Sequence, residues 1–158
     1  MTDHAEIAET LNKQYSSVYT VENSRNIPDT REYPVNVTML MVVIFESDVQ
    51  KRLKKLDASK SKGPDGIYPR LLKDTAELIS LHLAKIFKKS LKEKAVPSDW
   101  KKATVIPLHK KGSKDKAEKY RPISLTSVTS KILEGIINDA VTKHLTYNNI
   151  MSPNQHGF

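Results

Sequence analysis

The chain has 158 residues and a net charge of +8, and this length predicts a single domain with one modest hydrophobic core. The absence of cysteine excludes disulfide bonds, thiolate metal sites and a cysteine nucleophile. The longest apolar run, Val37 to Phe45, is about half of the ~20 residues that a membrane span needs, and its position does not suit a signal peptide. We therefore expect an intracellular protein, nuclear or cytoplasmic, with no membrane partner.

The positive charge is concentrated in the middle of the sequence. Residues 51–122 hold 21 Lys and Arg against 8 Asp and Glu, whereas residues 1–50 hold 3 against 8. This concentration favours a polyanionic partner, because each neutralised phosphate releases condensed counterions. The alternative is that the lysines merely solvate helix faces. Lysines also gather around Lys60–Lys62 and Lys110–Lys119, which composition predicts to be loops, and this favours a nucleic acid.

The N-terminal third predicts a helix, a linker and an ambiguous apolar run. Asp3 can cap a helix whose apolar residues recur every three or four positions. Residues 20–36 contain two prolines and are typical of a linker. The run Val37 to Phe45 is rich in β-branched residues and suits a strand, but periodicity does not distinguish a strand from a buried helix. Ser47 before Asp48 predicts the N-cap of the next helix.

Three helices are predicted between this run and the centre of the chain. The first has one apolar stripe that starts at Val49, and the loop Lys60–Gly66 follows it. Pro69 predicts the first turn of a short helix, and Thr75 predicts the N-cap of a longer one. The stripe predicted for the longer helix consists of Leu78, Ile79, Leu83, Ile86, Phe87 and Leu91.

The C-terminal half predicts a β-hairpin and a long helix. Ala103 to Leu108 alternates well enough for a strand, Lys110 to Asp115 is a loop by composition, and Tyr120 to Leu125 suits the returning strand. Thr126 or Ser127 can cap the final helix. The sequence thus predicts an α+β fold that is mostly helical, with a short antiparallel hairpin.

The segment Gly63-Pro64-Asp65-Gly66 is predicted to be a turn from its chemistry alone. Proline fixes φ, aspartate can bond its own backbone, and glycine permits a positive φ. A turn of this kind is compatible with a second, binding role for the lysines that precede it.

Two lysines and an arginine flank the tip of the predicted hairpin. Because a hairpin brings the ends of its loop together, Lys110, Lys111 and Arg121 could converge on one phosphate group. The planar guanidinium donates two parallel hydrogen bonds, whereas a lysine acts as a point charge. The alternative is a solvated hairpin tip in which Asp115 pairs with a lysine.

Four sequence blocks, in this order, resemble one protein family: KSKGPDGI from Lys60, WKKA from Trp100, YRPISL from Tyr120 and QHGF from Gln155. They are similar to the opening motifs of the reverse transcriptase domain of non-LTR (LINE-type, jockey or CR1-like) retrotransposons. The resemblance covers roughly residues 46–158. It implies the fingers subdomain and the start of the palm of a right-hand polymerase, with residues 1–45 as an N-terminal extension that contains one helix.

The resemblance also implies a template-binding role for the turn. In the family, a lysine-flanked turn at this position lies in the fingers near the template strand. The corresponding residues of this chain are Lys60, Lys62, Gly63 and Asp65. The implied partner is an RNA template or an RNA–DNA hybrid.

A nucleotide-binding role is implied for the hairpin and the C-terminal segment. In the family, a lysine and an arginine at these positions contact the triphosphate of the incoming dNTP, which implies Lys110 or Lys111 and Arg121 in this chain. Gln155 and Gly157 match the start of the next family motif, which lies near the nucleotide pocket.

Catalysis is not expected from this chain alone. The family places its catalytic aspartates in a Phe-x-Asp strand and a Tyr-x-Asp-Asp hairpin, where two metal ions stabilise the attacking and leaving oxygens. Neither pattern occurs in the 158 residues, so Mg²⁺ is expected only for a complete polymerase, whose remainder is a further expected partner. The alternative functions are a non-enzymatic helical interaction protein derived from a truncated element copy, and a fragment that folds poorly without its palm.

Overall fold

The computed structural model describes residues 3–20, 37–39 and 41–151. Within these ranges the chain forms five α-helices and one two-stranded antiparallel hairpin, so the predicted α+β, mostly helical fold is confirmed. The helices are α1 (His4–Ser17), α2 (Glu46–Lys54), α3 (Pro69–Asp74), α4 (Ala76–Glu93) and α5 (Val128–Tyr147). The strands are β1 (Ala103–His109) and β2 (Tyr120–Thr126), and short 3₁₀ turns occupy Ser98–Lys101 and Ala117–Lys119.

The chain divides into two compact units. The described residues 3–20 and 105–124 form the hairpin unit, which contains α1 and the outer part of the hairpin. The described residues 37–39, 41–104 and 125–151 form the helical unit, which contains α2 to α5 and the base of the hairpin. The domain boundary predicted after residue 45 stays a prediction. None of the described helices is long and apolar enough to cross a membrane.

The core of the helical unit forms where α2, α4 and α5 present their apolar residues. Val49 and Leu53 of α2 and Phe87 of α4 have no exposed surface. The edge of the Trp100 ring packs against Phe87, with ring centroids 5.7 Å apart and an interplanar angle of 68°. The other buried apolar residues are Ile44, Leu72, Ala76, Ala84, Val128, Ile132, Leu133 and Ile136.

A polar contact connects α2 to α5 beside this core. The Arg52 guanidinium fits against Gly135, where a side chain would collide with it. Its Nη2 donates a hydrogen bond to the Gly135 carbonyl at 2.8 Å and also contacts the Asp139 carboxylate. Since Arg52 is only partly exposed, this pairing holds the two helices at close range.

The apolar stripe predicted for α4 is partly wrong. Phe87 is buried as predicted, but Leu78 is 76% exposed and Ile86 is 44% exposed. The residues that α4 buries are Ala76, Ser80, Ala84, Phe87 and Ser90. Their side chains are mostly small, so α4 approaches α2 closely along them and the larger Leu78 and Ile86 stay outside the contact.

The run Val37 to Phe45 is neither a strand nor a helix in its described part. Ile44 is only 1% exposed, whereas Met41 and Val43 are 84% and 58% exposed. The backbone at Phe45 is extended, with φ −98° and ψ 146°. The described strands pair only with each other, so this segment gains one buried anchor without a hydrogen-bonded ladder.

The prediction that α2 starts after Ser47 is wrong by two residues. Phe45 is the N-cap, and its carbonyl accepts hydrogen bonds from the amides of Asp48 at 3.1 Å and Val49 at 3.3 Å. Glu46 and Asp48 lie in the first turn, where carboxylates interact favourably with the helix dipole. The anchored Ile44 and this charge pattern together favour the earlier start.

The other helix starts agree with the sequence. The Asp3 carboxylate accepts a hydrogen bond from the Ala5 amide at 3.0 Å, and the Ser127 hydroxyl accepts one from the Ser130 amide at 3.4 Å. Pro69 opens α3, and Thr75 is the N-cap of α4 without a capping hydrogen bond from its side chain. Of the predicted linker, residues 21–36 lie outside the described residues.

We expect Phe87→Ala to lower the free energy of unfolding by about 3–5 kcal/mol, because it leaves a cavity at the centre of the core. Leu78→Ala in the same helix is the control, and its effect should stay within about 0.5 kcal/mol because Leu78 is exposed. Urea unfolding followed by circular dichroism measures both values. Equal effects of the two substitutions would contradict a core centred on Phe87.

Candidate nucleic-acid interface

The Gly63–Gly66 segment forms the predicted turn. The Gly66 amide donates a hydrogen bond to the Gly63 carbonyl at 3.1 Å, and the Asp65 carboxylate accepts one from the Ile67 amide at 3.1 Å. Gly66 has φ +74°, a value that other residues rarely adopt. The Asp65 side chain therefore stabilises the turn from within.

Gly63 lies against the junction between β2 and α5. It is buried, and a Cβ atom added to it would lie 2.6 Å from the Thr126 carbonyl oxygen and 2.9 Å from the Ser127 Cα. Because these neighbours are backbone atoms, a side chain at this position cannot be accommodated without moving one of the two segments. Glycine thus allows the turn to sit directly on the start of α5.

The two lysines before this turn have different surroundings. Lys60 Nζ lies 3.9 Å from an Asp57 carboxylate oxygen. Hydrogen bonds from the Ser59 hydroxyl and amide lower the pKa of Asp57, so this carboxylate is charged at neutral pH. Lys62 Nζ instead lies 4.8 Å from the centre of the exposed Tyr68 ring. Lys62 therefore keeps its charge available for an anion.

The register of the hairpin determines which of its cations share a face. The Lys110 amide donates to the Lys119 carbonyl at 2.8 Å, and the His109 and Tyr120 ring centroids are 5.2 Å apart. Lys110 therefore lies opposite Lys119. Since opposite residues share a face and side chains alternate along a strand, Arg121 lies on this face too.

Helix α1 packs on the opposite face of the hairpin. A cavity of about 380 Å³ between them is lined by Tyr15 of α1 and by strand residues that include Pro107 and Pro122. The Tyr15 hydroxyl is buried without a hydrogen-bond partner among the described residues, and burial, with a smaller effect of Tyr120, raises the pKa of Tyr15. The face that carries Arg121 is therefore the one that α1 leaves open.

The acidic residues near the hairpin tip form no described ion pair with the three predicted cations. Asp115 accepts a hydrogen bond from the Ser113 hydroxyl at 3.2 Å, so the predicted alternative of an Asp115–lysine pair is not found among the described contacts. Within the described ranges, Lys110, Lys111 and Arg121 have no carboxylate within 4.0 Å. Their charges are therefore exposed without a described counterion.

Sequence reasoning missed one cation on this face. Lys119 shares the face with Lys110 and Arg121, but its Nζ lies 3.3 Å from a Glu118 carboxylate oxygen. The two-residue period of the strand places Lys119 with Arg121, and the sequence already contained this signal. Lys111 lies in the loop that follows β1, and its convergence with Lys110 and Arg121 on one phosphate stays a prediction.

The remaining predicted site residues belong to the other compact unit or lie outside the described residues. Lys60, Lys62, Gly63 and Asp65 belong to the helical unit, whereas the cationic tip belongs to the hairpin unit. Gln155 and Gly157 lie outside the described residues. Among the residues that the structure describes, no three His, Asp or Glu side chains are grouped to hold a metal ion.

Comparison with known proteins gives several retrotransposon relatives, although no family model matches the chain. The probable RNA-directed DNA polymerase from transposon BS of Drosophila melanogaster is 31% identical over 140 residues, which cover 88% of this chain and 16% of that protein. The RNA-directed DNA polymerase from mobile element jockey of the same species is 28% identical over 114 residues, covering 72% of this chain and 12% of that protein. The putative 115 kDa protein in type-1 retrotransposable element R1DM, also of Drosophila melanogaster, is 35% identical over 104 residues, which cover 65% of this chain and 10% of that protein. The chain therefore spans only 10–16% of the length of these relatives.

We expect Gly63→Ala to destabilise the protein more than Gly66→Ala. The first substitution forces a Cβ into backbone atoms and should lower the free energy of unfolding by about 2–3 kcal/mol. The second meets no atom within 4 Å, and the positive φ alone should cost about 1 kcal/mol. Urea unfolding of the two variants checks this order. A smaller effect at Gly63 would show that the turn does not rest on Thr126 and Ser127.

Proposed function

This chain belongs to the RNA-directed DNA polymerase sequences of non-LTR retrotransposons, as a homologue of one segment of them, and we propose that it is the fingers portion of such a polymerase. In this proposal it binds a nucleic-acid template and the phosphates of a dNTP, and it does not catalyse polymerisation by itself. The relatives named as polymerases support the class of activity. The arrangement of cations supports the division into two binding surfaces.

The observation that carries the proposal is the cationic face of the hairpin. Lys110 and Arg121 lie on the face that α1 leaves open, and no described carboxylate neutralises either charge. An arginine can donate two parallel hydrogen bonds to a phosphate, and a neighbouring lysine adds a mobile positive charge. Such a face suits the triphosphate of a nucleotide, with Lys111 at the tip as an additional contact.

The turn at Gly63 is the proposed template contact. Its backbone packs directly against Thr126 and Ser127, which supports the loop that carries the two lysines. Lys60 and Lys62 would contact phosphates of the template, and these contacts would position the strand without reading its sequence. Asp65 takes part indirectly, because its carboxylate stabilises the turn.

Catalysis is assigned to other parts of a polymerase for a chemical reason. Phosphoryl transfer by two metal ions needs carboxylates that hold both ions beside the reacting phosphate. The Phe-x-Asp and Tyr-x-Asp-Asp patterns that supply them in the family do not occur in this sequence. Mg²⁺ would therefore act in the complete polymerase, and binding is the activity proposed for these residues.

Fluorescence anisotropy of a labelled RNA–DNA primer-template, titrated with the protein across a salt series, tests the proposal. We expect the affinity to fall steeply with salt, by about 0.9 log units per log unit of salt for each phosphate neutralised. Replacing Lys110, Lys111 and Arg121 by alanine should make the slope shallower by up to about 2.7 and weaken the binding of a labelled dNTP.

The matched control removes the same charge from the helical unit. Lys85, Lys88 and Lys92 lie exposed on α4, and their replacement by alanine also lowers the net charge from +8 to +5 while keeping good helix formers. This variant should bind the primer-template with nearly the wild-type slope. Equal losses of affinity in the two triple variants would show that binding depends on net charge and not on the proposed site. Flat binding by the wild type, together with salt-insensitive binding to a protein, would favour the interaction-protein alternative.

A further inference from the structure

We propose that Tyr68 stacks on a nucleobase of a single-stranded segment of the template whose phosphate is held by Lys62. The inference rests on the proposed function, in which the loop before Gly63 contacts the template. The adjacent Tyr68 ring is proposed to contact a base of the same strand. The ligand class is therefore single-stranded nucleic acid, recognised through one stacked base and its backbone.

The backbone holds Tyr68 at a fixed position on the surface. Tyr68 is the N-cap of α3, with φ −79° and ψ 140°, and its carbonyl accepts a hydrogen bond from the Leu72 amide at 3.3 Å. Its chain neighbours are anchored, because Ile67 is partly buried against the core and Pro69 is buried. Pro69 also fixes φ at the first helical position. The ring is consequently presented from a rigid support.

The ring is also accessible. Tyr68 is 53% exposed, although a tyrosine can bury its large apolar face at a favourable free energy. A base stacked on an aromatic side chain covers such a face, and this contact is tolerant of sequence because every base has a π-face. Exposure on an anchored backbone is thus what a stacking platform requires.

The cation beside the ring identifies a polyanion as the favoured ligand. Lys62 Nζ lies 4.8 Å from the Tyr68 ring centroid, within the range of a cation–π contact. In the free protein the ammonium therefore lies over one face of the ring, and a base that stacks on this face would take its place while the ammonium moves to the neighbouring phosphate. In a nucleotide the phosphate and the base are neighbours, so one nucleotide can meet both groups.

Other charged side chains near this position are engaged in local contacts. Lys73 Nζ donates to the Leu56 carbonyl at 3.0 Å, and Arg70 Nε lies 3.8 Å from an Asp74 oxygen. Among Lys62, Arg70 and Lys73, Lys62 is therefore the cation with no described oxygen partner, and it lies over the Tyr68 ring. An apolar protein partner would use Leu71, which is 57% exposed, but it would gain nothing from this lysine.

Substitutions can separate stacking from charge. Stacking contributes to the affinity without releasing counterions, so Tyr68→Ala should weaken binding about 5- to 150-fold and leave the salt slope unchanged. Lys62→Ala should instead make the slope shallower by about 0.7 for one phosphate of a single strand. Tyr68→Phe keeps the ring and should bind like the wild type. Tyr68→Leu keeps apolar area without a π-face and should resemble Tyr68→Ala.

The experiment titrates each variant into a short single-stranded RNA that contains one 2-aminopurine, across a salt series. Anisotropy of an end label gives the affinity and its salt slope, and the 2-aminopurine emission reports stacking of that base. Tyr147→Ala is the control, because Tyr147 is 82% exposed at the end of α5 and should have no effect. Circular dichroism confirms that each variant is folded.

The outcomes distinguish this inference from the proposed function. Salt-dependent RNA binding that Tyr68→Ala or Tyr68→Leu leaves unchanged would overturn stacking while the proposed function stands. No salt-dependent binding by the wild-type protein would remove the proposed function and this inference with it. A loss of affinity in Tyr68→Ala and Tyr68→Leu, rescued in Tyr68→Phe at an unchanged slope, supports the stacked base.

Discussion

The close approach of Gly63 to the Thr126–Ser127 backbone is the constraint on which the proposed template surface depends. A turn that bears lysines would ordinarily move relative to its protein, and ordering it on a ligand would reduce the affinity. In this chain the absence of a side chain allows two backbones to meet, and Asp65 closes the turn from inside. The fold itself therefore positions the turn next to the lysines, without the help of a ligand.

Small residues at a contact also explain how closely α4 packs in the helical unit. The faces of α4 that meet other helices carry Ala76, Ser80 and Ala84, and the Ser80 hydroxyl donates to a Glu46 carboxylate oxygen at 3.0 Å. Buried hydroxyls need such partners, because an unsatisfied polar group in a core is costly. Leu78 is exposed because the helical period places it on the opposite side of α4 from Ala76, Ser80 and Phe87.

The sequence was sufficient for elements whose signals are local. Capping residues such as Asp3 and Ser127, and the proline at position 69, mark helix starts through chemistry within one turn, and the structure confirms them. The position of α2 and the buried face of α4 depend on which distant residues pack against them, and these predictions failed in part. In the candidate site the turn at Gly63 was predictable, but its contact with Thr126 joins segments that are far apart in the chain.

The described cations differ in their surroundings: some lie close to a carboxylate, and others have no described counterion. Several cations on helices meet carboxylates: Lys54 Nζ lies 2.7 Å from a Glu77 oxygen, and this hydrogen bond and charge lower the pKa of Glu77. Such exposed pairs contribute little stability and solvate the helices.

Two loop carboxylates, those of Asp65 and Asp115, accept hydrogen bonds within their own turns, and Lys62 and Lys110 have no described counterion, whereas Lys60 lies near Asp57. Lys62 and Lys110 are therefore the loop cations that suit the proposed contacts with phosphate. A surface formed in this way gains affinity from charge at low salt, and it needs an uncharged contact such as a stacked base to keep a strand in place as salt rises.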